Sequence, residues 1–310
     1  MKLQQLRFLA QVVASDFNVT AAAAMLHTSQ SGVSHQIRLL EEELGATIFL
    51  RQEKRLTGLT DVGAEIVAQA RELLLRATQL RQVAADFDAA SDPRELVVAT
   101  THVHARYTLL PVVTEFTGGF PATALRLIQT FPEEIFQLLE DDRADLGLTT
   151  DAPPDPDRFE MIPAYTMGRC LIAPTGHPLL ARARPRMADV ARHPMVVYDG
   201  RMGSGRTVSE AFEREGITPS VVLSAVDVDV IKAYVAAGVG VAIVPTLAYD
   251  AGADTRLGMR PMGHIFEESL TSIVVRRGKY LRRAARAFME TLGRQQAAGT
   301  RSVAAGARAR

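Results

Sequence analysis

Residues 19–38 read VTAAAAMLHTSQSGVSHQIR, and their spacing decides the fold of the first part of the chain. Val19, Ala23 and Leu26 recur at helical intervals until the polar run His27-Thr28-Ser29-Gln30 breaks the pattern. Val33, Ile37 and Leu40 then form a second stripe. Two short amphipathic helices joined by a polar turn bury their stripes against each other and against a preceding helix. Leu3, Leu6, Leu9 and Val13 supply that helix. The arrangement is a helix-turn-helix, and its second helix turns Ser29, Gln30, Ser31, Ser34, His35 and Arg38 outward. These hydrogen-bonding side chains suit base edges and phosphates.

Gly45 is a left-handed helix stop. Beyond it, residues 47–51 (TIFLR) and 56–60 (LTGLT) are β-leaning and flank Gln52-Glu53-Lys54-Arg55. The pair reads as a wing tipped with cations, which places Arg51, Lys54 and Arg55 over the phosphate backbone beside the groove. A solvated turn is the plainer reading of Lys54-Arg55. Thr60 is positioned to cap a helix over residues 61–87, along which Ile66, Leu73 and Leu80 repeat at seven, interleaved with Ala70, Ala77 and Ala84. A stripe this regular suits a partner helix, although packing on its own domain would use the same residues.

Ser91-Asp92-Pro93 closes that helix, and strands then alternate with helices to about residue 292. The alternation predicts parallel sheets covered on both faces. The tail from residue 296 lacks an apolar period and is expected to be disordered.

Bulk properties narrow the function. The 35 basic residues balance 35 acidic ones, so any attraction to nucleic acid must be local, and Glu41-Glu42-Glu43 opposes it at the end of the recognition helix. A single cysteine, Cys170, excludes an intrachain disulfide and suits a reducing compartment; its apolar neighbours suggest a buried, inert thiol. With no signal pattern and no membrane-length apolar run, a cytoplasmic location without a membrane partner is expected. No phosphate loop, serine elbow or HExxH occurs, and Glu133-Glu134 reads as a helix's first turn. The best enzyme-like feature is His102-Val103-His104, whose histidines would face one way on a strand. A third ligand is not evident, so neither a metal site nor catalytic residues are expected. A transport solute-binding protein is disfavoured by the missing export signal and the N-terminal helix-turn-helix.

A small-molecule site can be placed from the layout. In open α/β sheets, ligands bind beyond the carboxyl ends of strands, where free backbone N–H groups at helix starts attract anions. Three segments qualify: Thr100-Thr101-His102-Val103-His104, Leu148-Thr149-Thr150, and the glycine-rich turn Gly203-Ser204-Gly205-Arg206-Thr207. Each Ser or Thr alone is an ordinary helix cap. Three such ends converging in one cleft would make an oxyanion or carboxylate site.

Residues 1–60 resemble the winged helix-turn-helix of LysR-type transcriptional regulators. The likeness rests on Ala22-Ala23, Leu26, Ser29-Gln30, Val33-Ser34, Ile37, Leu40-Glu41, Leu44-Gly45, Phe49, Arg51, Leu56-Thr57 and Thr60. Ser31 stands where the family usually has proline. Within the family, MKLQQLRF, ATTHVHARY and VDVDVIKAYVAAGVGVAIV resemble the CysB branch, which controls sulfur assimilation, and the likeness stops near residue 295.

The resemblance implies an α/β protein with a winged helix-turn-helix over 1–60, a linker helix over 61–91 and a periplasmic-binding-protein-like effector domain over 92–295. The two lobes would be 92–165 plus 267–295, and 166–266. It further implies linker helices paired between subunits, a homotetramer built as a dimer of dimers, and double-stranded promoter DNA with imperfect dyad symmetry. RNA polymerase is a further expected partner. No cofactor is expected; the effector would be a small anion such as sulfate, thiosulfate, an acetylated serine or an adenylylated sulfate. CysB-like proteins use hydroxyls at the positions of Thr101, Thr150 and, by a looser alignment, Ser204. They commonly have threonine and glutamine where this chain has Val103 and His104. His104 would then supply a donor, or a charge if protonated.

Overall fold

A computed structural model describes residues 1–53, 55–87 and 95–307. The chain forms two compact units, residues 1–89 and 90–310. In the first, α1 (Leu3–Ala14), α2 (Val19–Met25) and α3 (Gln30–Leu44) precede strands β1 (Phe49–Gln52) and β2 (Arg55–Leu59) and the long α4 (Asp61–Phe87). Local capping fixes these boundaries. The Asn18 side chain accepts from the Ala21 N–H (3.0 Å), and Ser29 Oγ accepts from the Gly32 N–H (3.1 Å). Gly45 ends α3 at φ +64°, a conformation that costs glycine little. Leu6, Leu9, Val12, Ala22, Ala23, Val33, Ile37 and Leu40 meet in one core, with Ile48 and Phe49 beneath them.

The wing is an antiparallel hairpin in which Phe49 faces Leu59 and Leu50 faces Gly58, with a bulge at Leu50/Arg51. Its strands begin at Phe49 and Arg55, offset from the expected 47 and 56. Thr60 starts α4: its Oγ1 accepts from the Gly63 N–H (2.9 Å) and donates to the Thr47 carbonyl (2.7 Å). A Cβ on Gly63 would lie 2.0 Å from the Ile48 carbonyl oxygen, so only glycine lets α4 sit this close. The expected heptad stripe divides along the helix. Ile66 and Ala70 pack into their own unit's core beside Val67, whereas Leu73 and Leu80 are 44% and 73% exposed.

The second unit begins with β3 (Leu96–Thr100), α5 (His102–Tyr107), α6 (Leu109–Gly119), β4 (Leu125–Gln129), α7 (Pro132–Glu140), β5 (Leu146–Thr149) and β6 (Phe159–Met167). Then follow β7 (Arg169–Pro174), α8 (Met187–Val190), β8 (Met195–Tyr198), α9 (Gly203–Arg214), β9 (Val221–Ala225), α10 (Val228–Ala236), β10 (Ala242–Pro245) and β11 (Leu257–Pro261). Strand β12 (Ser269–Arg276) and α11 (Arg283–Ala307) complete it. The first lobe holds a five-stranded sheet of order β4-β3-β5-β12-β6, and the second holds β10-β7-β11 with the pair β8-β9. The chain leaves the first lobe at Gly168 and returns between β11 and β12.

Three expectations change here. Strands β3, β4 and β5 run parallel, as do β8 and β9, with a parallel bridge from Met195 to Val241 beside β10; β12 is antiparallel to β5 and β6, and β7 to β10 and β11. The antiparallel strands arise where the chain crosses between lobes, which alternation alone does not reveal. Strands β6 and β11 break the expected alternation with helices; both lie at sheet edges, carry Pro163 or Pro261, and are only partly buried. The tail expected to be disordered from 296 instead continues α11 to Ala307. The five alanines between residues 297 and 307 have high helix propensity, and extending an existing helix avoids the cost of nucleation. The start of α11 is held by Ala284, Ala285, Phe288 and Leu292 in the first lobe's core.

Candidate DNA interface and effector cleft

On α3 the buried stripe is Val33, Ile37 and Leu40, while Gln30, Ser31, Ser34, His35 and Arg38 are exposed, as is the cap Ser29. The six residues therefore share a solvent face. The Arg38 guanidinium lies 3.3 Å from His35 Nδ1 and 3.6 Å from Glu42. Arg51 and Arg55 are exposed on the wing, and Lys54 lies outside the described residues. Glu41 has a role different from the repulsion its charge suggested. One oxygen accepts from the Ile48 and Phe49 N–H groups (2.9 and 3.3 Å), and the other binds Arg51 (2.8 Å). Glu41 thus ties the recognition helix to the wing and holds Arg51 in place.

In the second unit, β3 delivers Thr101 to the start of α5, β5 delivers Thr150, and the head of α9 brings Ser204. One small cavity of about 20 Å³ is lined by Thr101, His104, Thr150 and Ser204, with Asp151, Tyr198 and Met202 beside them. The structure brings all four sequence-predicted residues together from both lobes. Thr101 is 5% exposed, and its hydroxyl has no hydrogen-bond partner among the described residues. A buried hydroxyl without a partner is costly, so it marks a position prepared for another group. Close approach of backbone requires glycine at Gly205, and Gly203 leaves room for the Asp151 side chain. A Cβ on Gly205 would fall 2.3 Å from the Asp199 carbonyl, and one on Gly203 would fall 2.8 Å from the Asp151 carboxylate.

His104 is 1% exposed, and its Nδ1 lies 2.7 Å from the Tyr165 hydroxyl, which lies 2.8 Å from Thr108 Oγ1. Burial holds the imidazole pKa down to about 4. His104 is thereby neutral at physiological pH, so of the two alternatives, a donor or a charge, burial favours the uncharged one. Asp151 was missed. It directly follows Thr150, so the signal was an acid two residues beyond the end of β5, and it pairs with Arg206 of α9.

His102-Val103-His104 does not form the paired face expected of a strand. The three residues open helix α5, where positions two apart diverge. His104 enters the cleft, while His102 Nε2 lies 3.2 Å from both Asp227 and Asp229 at the head of α10. Asp229 also faces Arg106 (3.8 Å) and Lys232 (3.9 Å), so this cluster already has counter-charges. A larger cavity of about 860 Å³, lined by Arg106, Tyr107, Lys232 and Asp254 among others, holds none of the predicted effector residues. Lys232 and Asp254 in it pair at 2.8 Å. Cys170 is buried, and burial pushes its thiol pKa up to about 12, as expected of an inert thiol. Among the described residues, no helix is long and apolar enough to cross a membrane.

A winged helix-turn-helix in one unit and a two-lobed cleft in the other define a ligand-responsive, DNA-binding transcription regulator. The chain belongs to the LysR family: residues 3–64 match the bacterial regulatory helix-turn-helix protein model of that family, and residues 89–297 match the LysR substrate binding domain. It is 42% identical to the HTH-type transcriptional regulator SsuR of Burkholderia cenocepacia, over 94% of each chain. It is 37% identical to the HTH-type transcriptional regulator CysB of the same organism, over 94% of this chain and 93% of that one. The crystal structure of the cofactor-binding domain of the Cbl transcriptional regulator superposes with a TM-score of 0.60 at 32% identity, covering 64% of this chain and 87% of that one. These relatives are transcription regulators, not enzymes.

Proposed function

We propose that this regulator controls genes of sulfur assimilation or cysteine metabolism, and that a small sulfur-containing or otherwise anionic effector binds between Thr101, His104, Thr150 and Ser204. Similarity to SsuR, CysB and Cbl, all sulfur-related regulators, supports the pathway. The observation that carries the site is the buried, unpartnered Thr101 hydroxyl on a cavity shared by both lobes. The effector takes hydrogen bonds from hydroxyls and from the first N–H groups of α9, whose N-cap residue Met202 makes no side-chain capping bond. His104 acts as a neutral hydrogen-bonding group. Effector binding alters the packing of the lobes and, through it, the spacing and bending of bound DNA.

Calorimetry on the full chain with sulfate, thiosulfate, acetylated serine and adenylylated sulfate tests this. Thr101→Ala should weaken the binding ligand by about one to two orders of magnitude, since a hydrogen bond to a charged group contributes roughly 1.5–3 kcal/mol. DNA affinity without effector should stay nearly intact. Wild-type affinity in Thr101→Ala would remove the site from this cleft, and binding of some other carboxylate with none of these four bound would move the regulator to another pathway.

A further inference from the structure

The cleft contains an anion of its own. Asp151, just past the end of β5, pairs its carboxylate with the guanidinium of Arg206 on α9, from the opposite lobe. The same carboxylate accepts from Thr149 Oγ1 (3.4 Å) and is 13% exposed. It lies against Gly203, the first residue of α9, where a Cβ would meet Oδ2 at 2.8 Å. A helix N-terminus favours negative charge, and at α9 that charge comes from the protein itself.

Two further observations bear on what an incoming anion must do. The cavity beside Asp151 measures about 20 Å³, room for about one water molecule. An oxyanion of sulfur does not fit beside an unmoved Asp151. Thr101, on the same cavity, is 5% exposed and its hydroxyl has no partner among the described residues, so Asp151 does not use every donor the cleft offers. An anion that reaches both Thr101 and the head of α9 therefore needs the space and the counter-charge that Asp151 holds.

We propose that Asp151 is a built-in competitor: it occupies Arg206 and the head of α9 in the effector-free protein, and an anionic effector binds by displacing it. This rests on the cleft being the effector site. Apparent affinity is lowered by the work of releasing Asp151, which sets the effector concentration needed for a response. Because the Asp151–Arg206 pair joins the two lobes, its release also removes one of the contacts between them at the moment of binding.

The test is calorimetric titration of sulfate and thiosulfate into the full chain at low ionic strength. Asp151→Asn preserves shape and removes charge, and should bind about tenfold more tightly or better. That gain should vanish in Asp151→Asn combined with Arg206→Gln. Should the amide variant fail to fold, Asp151→Ala reads in the same direction. Unchanged or weaker binding in the Asp151 variants, with Thr101→Ala still impaired, would overturn the competitor and leave the cleft reading standing. If Thr101→Ala binds as wild type does, both readings fall; if no variant binds either anion, the competitor falls, and the cleft reading passes to the titrations with acetylated serine and adenylylated sulfate.

Discussion

His104 occupies the position where its chemistry is most sensitive to surroundings. Buried against Tyr165, it is held neutral, its pKa lowered from 6.5 to about 4. The unfolded chain therefore takes up this proton first as pH falls. Stability from this site is complete above about pH 6.5 and declines as pH drops toward 4, by roughly 3 kcal/mol in all. Urea unfolding of the full chain at stepped pH should show that slope, and His104→Gln should flatten it in this window. An identical slope in the variant would assign the acid sensitivity to other groups. Anion affinity should not tighten through His104 protonation near neutral pH.

Two helices have unequal ends. The first turns of α4 are absorbed into the core of their own unit through Ile66, Val67 and Ala70, and Gly63 seats the helix on Ile48. Further along, Leu73 and Leu80 face solvent in the single chain. A second copy is expected to cover them. Leu73→Glu should leave the single chain folded, because the position is exposed, yet place a carboxylate in the apolar contact between copies. Sedimentation should then show smaller assemblies, with cooperative binding to a two-half-site operator lost; an unchanged mass would mean that subunits meet elsewhere. Helix α5 is divided in the same way, with His104 in the cleft and His102 against Asp227 and Asp229 of the other lobe. A shift of α5 on effector binding would thus be felt at a second contact between lobes.

The assembled regulator must read bases with one set of side chains and hold phosphates with another. With 35 basic and 35 acidic residues, long-range attraction is weak, and affinity is expected to depend on α3 and the wing. Gln30→Ala should relax preference at particular base pairs, costing roughly 1–3 kcal/mol there. Arg55→Ala should weaken binding to all sequences alike and reduce the salt slope by about one. Gel-shift titrations over a salt series separate the two; altered base preference with an unchanged salt slope in Arg55→Ala would reverse the assignment. Arg51 stands apart, because Glu41 holds it. Its replacement would loosen the wing from α3 as well as remove a cation.

Much of this was legible in the order of residues because it depends on neighbours. Helical periods placed α1 to α4, and the stop at Gly45 and the cap at Thr60 are local chemistry that the structure reproduces, while Ser29 proves to cap α3 as well. The cleft was legible for a topological reason: strand ends of an α/β sheet converge wherever the chain later runs, so the segments that carry Thr101, Thr150 and Ser204 meet in one cavity, while the resemblance to CysB-like proteins singled out those three hydroxyls. Tertiary structure alone decided the electrostatics of that cavity. His104 is neutral because Tyr165, 61 residues away, and the surrounding burial exclude water from it. Asp151 meets Arg206 across 55 residues, and Glu41 serves the wing because the hairpin folds back onto α3. A charge is set by desolvation and by the partners that folding brings near, and no periodicity along the chain encodes either.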